Sequence, residues 1–338
     1  MGRDLALLIP EIAVLLAAVS ALIAEILRRP RASLVLAMLG LFVATGLTIR
    51  LVGTDTTVFG GSFRIDALSI WAKLILLPAT MLSLLLASAE VRGTVREGTV
   101  YSLLCLATVG ALILAGAGDM MFLVLGLLLT SLATFALVAY PDDDPATEAA
   151  MKYFVFGSVA GAVMIFGLTY WFGAAGSTMI ADLEGTEAIP LAVIFGLVAV
   201  IVGLGYKASL VPFHFWVPDA YEGGPLSVAA FLSVVPKVGA LFALTQVFRD
   251  LPSESGGPAV IAGLAVLSMT YGYLAALVQD NVVRLLAYSS IAQSGYFLLG
   301  IVALGESSFA LPSIIFFAAA YAAMNLGAFA VIAAVGRT

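Results

Sequence analysis

The sequence predicts an all-α protein, a polytopic bundle of transmembrane helices. Of its 338 residues, 62% are hydrophobic and only 11% are charged, a composition that a water-soluble domain of this length could not present to solvent. The apolar residues are grouped in blocks of about 20, the length of a helix that crosses about 30 Å of hydrocarbon. A β-barrel would instead show shorter segments that alternate between apolar and polar residues. We therefore expect a helical protein that crosses a lipid bilayer many times.

Eleven apolar blocks are long enough to be spanning helices, and short polar turns separate most of them. Helices that follow one another in sequence are then expected to lie antiparallel and adjacent. The predicted spans are 5–27, 32–52, 67–89, 98–117, 119–140, 148–173, 188–209, 225–248, 258–279, 282–304 and 308–335.

Basic residues are distributed unequally between the two ends of these spans, which predicts the orientation of the chain. Eight lie at one end: Arg28, Arg29, Arg31, Arg92, Arg96, Lys152, Arg284 and Arg337. Four lie at the other: Arg3, Arg50, Arg64 and Arg249. Cytoplasmic loops carry the excess of Lys and Arg, so the N-terminus is expected outside and the C-terminus, after an odd number of spans, inside.

Charge and cysteine content exclude several classes of function. The net charge is -6, and acids cluster in polar turns such as 142–144, where solvation is their expected role. A nucleic acid is therefore not an expected partner. The single cysteine, Cys105, can form no internal disulfide and cannot by itself hold a metal or iron–sulfur cluster. The first apolar block is too long for a cleavable signal peptide and is followed by arginines.

Glu11, Asp66 and Lys73 are the charged residues of the first three spans whose position calls for an explanation. Glu11 and Asp66 are close to span ends, where the interface can hydrate them, so an interfacial or structural role is predicted for both. Lys73 lies deeper, within an apolar run. Its long stem could carry the ammonium toward the interface, or the residue could be functional, and the sequence does not decide between these readings.

Lysines within apolar segments are the strongest functional signal. Three of the four lysines, Lys73, Lys207 and Lys237, fall inside predicted spans. A lysine at the centre of a bilayer costs about 2.5–3.5 kcal/mol, which makes it a candidate functional residue by default. Burial also penalises the ammonium ion, which allows a lysine to load and release a proton near neutral pH.

The stretch from 205 to 225 combines Lys207 with the only histidine, His214, and with the prolines Pro212 and Pro218. Proline lacks an N–H and disfavours helix at the residue before it, so irregular backbone is expected here. At membrane depth such backbone survives only inside protein or beside a water-filled cavity. His214 is a candidate proton carrier because imidazole titrates near neutral pH, although it could instead simply bond a freed carbonyl.

Lys237 follows Pro236 in the eighth predicted span. The proline frees a carbonyl that a lysine or a water molecule could satisfy. Together, Lys207, His214 and Lys237 are predicted to form a lateral row of titratable groups within the membrane. Such a row indicates a pathway for protons or cations, without indicating what drives it.

The motifs around these residues resemble those of a known family. KASLVPFHFWVPDAYEGGP (207–225) with FLSVVPK (231–237) resembles the signature of the antiporter-like membrane subunits of respiratory complex I, the NADH-quinone oxidoreductase. Further matching pieces are Pro10-Glu11, TEAAMKYFVFGSVAG (147–161), RLLAYSSIAQSGY (284–296) and YAAMNLGAFAV (321–331). The resemblance extends from the first predicted span to the last.

The resemblance implies a fold of fourteen helices with two inverted five-helix repeats, each of which contains a broken helix. Residues 1–97 would then form an N-terminal three-helix segment, and 98–250 the first repeat, with its broken helix near 200–220. Residues 251–338 would begin the second repeat. The second broken helix and its lysine would lie beyond residue 338, so the resemblance implies that the sequence is incomplete at its C-terminus.

In function, the resemblance implies a proton-translocating subunit of a bacterial plasma-membrane complex. Lys207, His214 and Lys237 would relay protons in response to quinone reduction in neighbouring subunits. No cofactor is expected in this chain, because quinone, FMN and iron–sulfur clusters would belong to other subunits. The expected partners are the other membrane subunits of complex I and the lipid bilayer.

Three positions depart from the family pattern. Leu128 stands where a glutamate that faces Lys207 is expected, Val283 stands where a lysine precedes Arg284, and Gln293 replaces a histidine. The first two changes remove charge, and the third removes a titratable group. Two alternative functions therefore stay open: a subunit of a multi-subunit cation/proton antiporter, and a structural member that does not pump.

Overall fold

The computed structural model describes residues 2–183, 191–251 and 256–336. Helices dominate these ranges, and a single two-stranded sheet lies among them. The helices are α1 Gly2–Leu7, α2 Ile9–Ile26, α3 Pro30–Ile49, α4 Ala67–Glu90, α5 Glu97–Ala115, α6 Met120–Val138, α7 Asp144–Ala175, α8 Leu191–Ala208, α9 Val217–Gly223, α10 Leu226–Arg249, α11 Gly257–Ala276, α12 Val282–Val302 and α13 Ala310–Val335. The strands are β1 Thr56–Val58 and β2 Phe63–Ile65.

The predicted multi-pass helical bundle is confirmed. Eleven of the described helices, α2–α8 and α10–α13, are long and apolar enough to cross a membrane, and each coincides with one predicted span. The ends differ by a few residues. The largest differences, of four residues, are at the starts of the first and sixth spans. The first predicted residues of the seventh span, 188–190, lie outside the described residues.

Short polar side chains explain where several helices begin. Asp66, Asp119, Asp143 and Asn281 each occupy the N-cap of a spanning helix and accept hydrogen bonds from backbone N–H groups of its first turn. These groups have no partner within the helix, so a capping oxygen stabilises the helix start. The polar residues between apolar blocks therefore set the boundaries of the spans.

The small sheet is a feature that the sequence analysis did not predict. β1 and β2 are antiparallel, with Val58 opposite Phe63, and two glycines with positive φ, Gly60 and Gly61, lie in the turn between them. Arg64 in β2 donates its backbone N–H to the carbonyl of Gly116 at the end of α5. The hairpin thus covers one end of the bundle, which we call the Asp66 end.

Helix α10 is the centre of the bundle. It packs against α4, α5, α6, α8, α9, α12 and α13. Its spanning window is entirely buried, whereas 28% of that of α3 and 22% of that of α11 are buried. A helix that is apolar on all sides is expected in such a position. We call the opposite end of the bundle, where α10 begins and α4 ends, the Glu90 end.

Small residues allow α7 to approach its neighbours closely. A Cβ atom added at Gly167 would lie 2.0 Å from the Cβ of Ala199 in α8. One added at Gly157 would lie 2.7 Å from the hydroxyl of Tyr206, also in α8. Gly161, in contrast, faces open space, so not every glycine of this stretch serves packing.

Candidate functional site

The predicted break in the helix that carries Lys207 is present. Helix α8 ends at Ala208, and α9 begins at Val217 with Pro218 in its first turn. Between them the chain has no regular helix, and Ser209 adopts a left-handed conformation with φ of 65°. The break therefore falls directly after the first candidate lysine.

Side chains satisfy the backbone groups that the break leaves without helical partners. The hydrogen bonds run from Trp216 Nε1 to the Tyr206 carbonyl (3.0 Å), from Ser294 Oγ to the Ala208 carbonyl (2.8 Å) and from the Val211 N–H to Ser268 Oγ (3.0 Å). The two serines come from neighbouring helices, Ser268 from α11 and Ser294 from α12. The irregular backbone is thus held inside protein, as is required at membrane depth.

Lys207 lies in a pocket of hydroxyl groups. Its Nζ donates hydrogen bonds to Tyr153 Oη (2.9 Å), Ser131 Oγ (3.1 Å) and Thr134 Oγ1 (3.3 Å). The ammonium also lies 5.2 Å from the ring centroid of Tyr153 and 5.9 Å from that of Phe135, within the range of cation–π attraction. Lys207 is 1% exposed. All of its hydrogen-bond partners are uncharged.

The aromatic residues around Lys207 fix the position of the Tyr153 hydroxyl. The Tyr153 ring stacks on Trp216 with centroids 4.2 Å apart. Tyr206 donates a hydrogen bond of 2.7 Å to the Tyr153 carbonyl, and Thr134 lies 3.0 Å from the Tyr153 hydroxyl. The broken segment, through Trp216, therefore positions a ligand of the lysine.

No carboxylate pairs with Lys207 among the residues that the structure describes. Leu128, at the position where the resemblance implies a glutamate, is 44% exposed on α6. Sequence reasoning missed the hydroxyl ligands Ser131, Thr134 and Tyr153. Tyr153 lies within the TEAAMKYFVFGSVAG motif and is one residue from Lys152, so a signal was present without an assigned role.

Lys237 lies in a second pocket, against α12. Its Nζ donates to the hydroxyl (2.7 Å) and to the carbonyl (3.0 Å) of Ser290. The Ser290 hydroxyl donates to the Ala287 carbonyl (2.7 Å), and the hydroxyl of Tyr221 in α9 lies 3.5 Å from it. The expectation that Lys237 bonds a carbonyl freed by Pro236 is replaced by these contacts with a neighbouring helix.

His214 is buried in the broken segment, where 4% of it is exposed. Its ring lies 4.7 Å from that of Phe215 and 4.6 Å from that of Tyr271. Its Nδ1 has no hydrogen-bond partner among the described residues. No hydrogen bond in the described part of the chain joins His214 to Lys207 or Lys237, so the row of three groups stays a prediction.

Lys73 differs from the other two buried lysines because it has a counter-ion. Its Nζ lies 2.6 Å from a carboxylate oxygen of Glu11, and both side chains are buried. The ammonium is 5.6 Å from the ring centroid of Phe63. Glu11 is buried rather than hydrated at the interface, so of its two predicted roles the structural one fits, and Lys73 does not extend to the surface.

Asp66 is also buried rather than hydrated at the interface, and the structural alternative fits it as well. It caps α4 and forms an ion pair of 2.6 Å with Arg249. Burial alone would raise the pKa of Asp66, but the charge of Arg249 and hydrogen bonds from Ser69 and Arg249 outweigh burial and lower that pKa below its ordinary value. Arg249 also contacts Asp250, which pairs with Arg64. Fixed charges thus stabilise the Asp66 end.

A second ionic cluster lies at the Glu90 end. Asp219 of α9 pairs with Lys152 of α7 (2.8 Å) and with Arg284 of α12 (3.0 Å), and Arg284 also reaches Glu222 (2.7 Å). Burial by itself would raise the pKa of Asp219, but the hydrogen bonds and charges of Lys152 and Arg284 together outweigh burial, so the pKa is lowered below its ordinary value. Among the described residues, Arg284 alone pairs with both Asp219 and Glu222, because Val283 stands where the resemblance implies a lysine.

Gln293, which replaces an expected histidine, lies on α12 and donates a hydrogen bond of 3.2 Å to the Tyr273 hydroxyl of α11. It makes no hydrogen bond to either pocket among the described residues. The arrangement as a whole is a helical bundle with two buried lysines in hydroxyl pockets on either side of a broken helix. A broken helix flanked by two buried lysines is the arrangement that the resemblance to antiporter-like membrane subunits implies.

Comparison with known proteins supports this class. The family model described as NADH:quinone oxidoreductase/Mrp antiporter, TM, matches residues 117–338. The chain belongs to this family.

Individual relatives indicate which member of the family this chain resembles. Subunit N of the NADH-quinone oxidoreductase of Mycobacterium sp. (strain JLS) is 40% identical over 288 residues, which cover 85% of this chain and 61% of the relative. Subunit N of Desulfovibrio desulfuricans is 40% identical over 346 residues, which cover 97% of this chain and 68% of the relative. A chain of respiratory complex I from Thermus thermophilus, solved with bound aureothin, has a TM-score of 0.84 at 29% identity. The match covers 96% of this chain and 70% of that one. The chain thus spans about two thirds of the length of these relatives, and its resemblance to subunit N is confirmed.

Proposed function

We propose that this chain is a membrane-arm subunit of a proton-translocating NADH:quinone oxidoreductase. The observation that carries the proposal is the pair of buried lysines, Lys207 and Lys237, whose hydrogen-bond partners are hydroxyl and carbonyl groups. The relationship to subunit N supports an NADH-quinone oxidoreductase as the complex to which this chain would belong. Proton movement through Lys207, His214 and Lys237 is the activity proposed for this chain.

The chemistry of the two pockets suits groups that gain and lose a proton. A hydroxyl accepts a hydrogen bond from an ammonium and can also rotate to donate one to a neutral amine. Tyr153 and Ser290 can therefore remain bonded to the lysines in both protonation states. An isolated carboxylate would instead be left without a counter-ion when its lysine became neutral.

Reduction of quinone by NADH is assigned to neighbouring subunits, which would also carry the FMN, the iron–sulfur clusters and the quinone site. The other membrane subunits of that complex and the bilayer are the proposed partners of this chain. The proposed location is a bacterial plasma membrane, with the Glu90 end cytoplasmic and the N-terminus outside, and the bias of eight basic residues against four supports this orientation.

The test is Lys207→Ala in the assembled complex in membrane vesicles. We expect proton translocation and coupled quinone reduction to fall while the complex still assembles, because the variant removes the titratable amine and leaves the helix contacts of α8. Lys152→Ala is the matched control, since that lysine is exposed in the ionic cluster at the Glu90 end. Unchanged translocation in Lys207→Ala would refute the role proposed for this pocket.

The family description also includes Mrp antiporters, so a subunit of a multi-subunit cation/proton antiporter is the second candidate. The genes that flank this one discriminate between the two. Genes for a quinone-binding module and other membrane subunits support the first function, whereas an antiporter gene cluster would replace it with the second. A structural member that does not pump would leave both activities unchanged in Lys207→Ala.

A further inference from the structure

A cavity of about 320 Å³ lies at the Glu90 end, between α4, α10, α12 and α13. Its lining includes Glu90, Ser227, Val283 and Phe329. None of the hydroxyl ligands of Lys207 or Lys237 takes part in this lining. The cavity is therefore separate from the two lysine pockets described above.

Two polar groups in this cavity suit water. The Glu90 carboxylate accepts hydrogen bonds of 2.8 Å from the backbone N–H groups of Leu226 and Ser227, at the start of α10. Ser227 itself is 2% exposed, and its Oγ has no hydrogen-bond partner among the described residues. A buried hydroxyl without a protein partner, beside a cavity of this volume, is where a protein holds ordered water.

Phe329 separates the cavity from the interior. It lines the cavity, is fully buried, and packs edge-on against Tyr221 with centroids 6.2 Å apart. Residues four positions apart lie on the same face of a helix, so Asn325 and Tyr321 follow Phe329 in steps along α13, away from the Glu90 end. An apolar ring thus stands between the cavity and two polar side chains.

Those two side chains lead to Lys237. Asn325 Nδ2 donates to the Tyr321 hydroxyl (3.4 Å), which donates to the Ser233 carbonyl (2.9 Å). Tyr321 also interacts with the side chain of Ser290, the hydroxyl that accepts the hydrogen bond of Lys237. Polar groups of α13 and α12 therefore form a column that begins behind Phe329 and ends at the amine of Lys237.

We propose that this cavity is the entry through which protons reach Lys237 from the Glu90 end, with Phe329 as the apolar plug of the path. A hydronium ion that has passed Phe329 releases its proton and leaves as water, the hydroxyls of Tyr321 and Ser290 each accept one proton as they release another, and the neutral amine of Lys237 accepts the last to become an ammonium. Asn325 orients Tyr321 and carries no proton itself. This inference rests on the function proposed above and adds a second, separate access route, to Lys237 rather than to Lys207.

The experiment places a thiol in the cavity of the assembled complex. The variant is Ser227→Cys in a Cys105→Ala background, treated with a small, charged, membrane-impermeant methanethiosulfonate in vesicles of both orientations. We expect rapid modification from the Glu90 side only, at least tenfold faster than for Ser233→Cys, the control on the same helix. Modification should lower proton translocation severalfold relative to the untreated variant.

Two results would overturn the entry route. One is a thiol at position 227 that reacts no faster than the thiol at position 233. The other is full modification at position 227 that leaves translocation unchanged, while Lys237→Met abolishes the contribution of this subunit. If Lys237→Met also leaves translocation unchanged, the proposed function itself is wrong and the entry route is rejected with it.

Discussion

The three buried lysines of this protein occupy two kinds of environment. Lys73, between α4 and α2, pairs with the carboxylate of Glu11 at 2.6 Å. Lys207 and Lys237, on either side of the broken helix, bond hydroxyl and carbonyl groups instead. All three are at most 1% exposed, so burial alone does not separate them. Their partners do.

The difference indicates which lysines can change protonation state. A buried ion pair is strongly stabilised as a pair, and removal of either charge leaves the other unpaired in a medium of low dielectric constant. A lysine among hydroxyls leaves no uncompensated anion when it becomes neutral, because the hydroxyls can donate as well as accept. Lys73 is thus suited to hold α2 and α4 together, whereas the surroundings of Lys207 and Lys237 are compatible with the proton relay proposed for them.

The largest predicted effect is on stability, from Lys73→Met. The substitution leaves the Glu11 carboxylate buried without a counter-ion, for which a loss of about 3–5 kcal/mol is expected. Thermal unfolding and the yield of assembled complex would measure it. The fraction that does assemble should translocate protons at the normal rate, in contrast to Lys207→Ala.

The control is the double variant Lys73→Met, Glu11→Leu, which removes both charges and should recover most of the stability. A normal yield of Lys73→Met alone would contradict the structural role of the ion pair. Normal yield together with lost translocation would show that Lys73 takes part in proton transfer, as proposed for Lys207 and Lys237. The contrast between two kinds of buried lysine would then be wrong.

A smaller effect is expected from Tyr153→Phe, which removes one ligand of Lys207 and keeps the ring that stacks on Trp216. A hydrogen bond contributes about 0.5–1.5 kcal/mol to stability, and Ser131 and Thr134 remain bonded, so the complex should assemble. Translocation should fall by about tenfold, because 1.36 kcal/mol in the barrier corresponds to a factor of ten. Tyr170→Phe, on the exposed face of the same helix, is the control. An unchanged rate in Tyr153→Phe would show that the hydroxyl pocket has no part in proton transfer.

Spans and lysines could be predicted from the sequence because they depend on local composition. Each apolar block of about 20 residues became a helix, and Pro212 and Pro218 marked the break after Lys207. Both signals are contained within a few residues. The same holds for the N-caps at Asp66 and Asn281, where an acid or amide precedes an apolar run.

Partners could not be predicted, because they come from distant parts of the chain. Glu11 and Lys73 are 62 positions apart, and the contact between Lys237 and Ser290 joins residues that are 53 apart. Hydroxyl residues are also common in membrane helices, so Ser131 and Thr134 carry no individual signal in the sequence. Whether a buried lysine faces a carboxylate or a hydroxyl therefore requires the packing of the helices.

The smallest effect is expected at the Glu90 end, from Asp219→Asn. Asp219 lies outside the eleven spans and is partly exposed, and it links α7, α9 and α12 through Lys152 and Arg284. Partly exposed ion pairs contribute little, so a loss of about 1 kcal/mol or less is expected, and less at high salt. Because the pKa of Asp219 is lower in the folded protein than in the unfolded chain, this stabilisation is present above the ordinary value of 3.8 and is lost as the pH falls through the folded pKa.

Thermal unfolding of the native protein and of Asp219→Asn, compared from pH 7 to pH 3, measures this contribution. The difference between the two proteins should be constant down to about pH 5 and should shrink below the ordinary pKa of an aspartate. The matched comparison is Asp142→Asn, in the exposed turn before α7, which should show no such difference. A destabilisation of Asp219→Asn as large as that of Lys73→Met would mean that the ionic cluster, rather than the buried Glu11–Lys73 pair, is the main electrostatic restraint on the bundle.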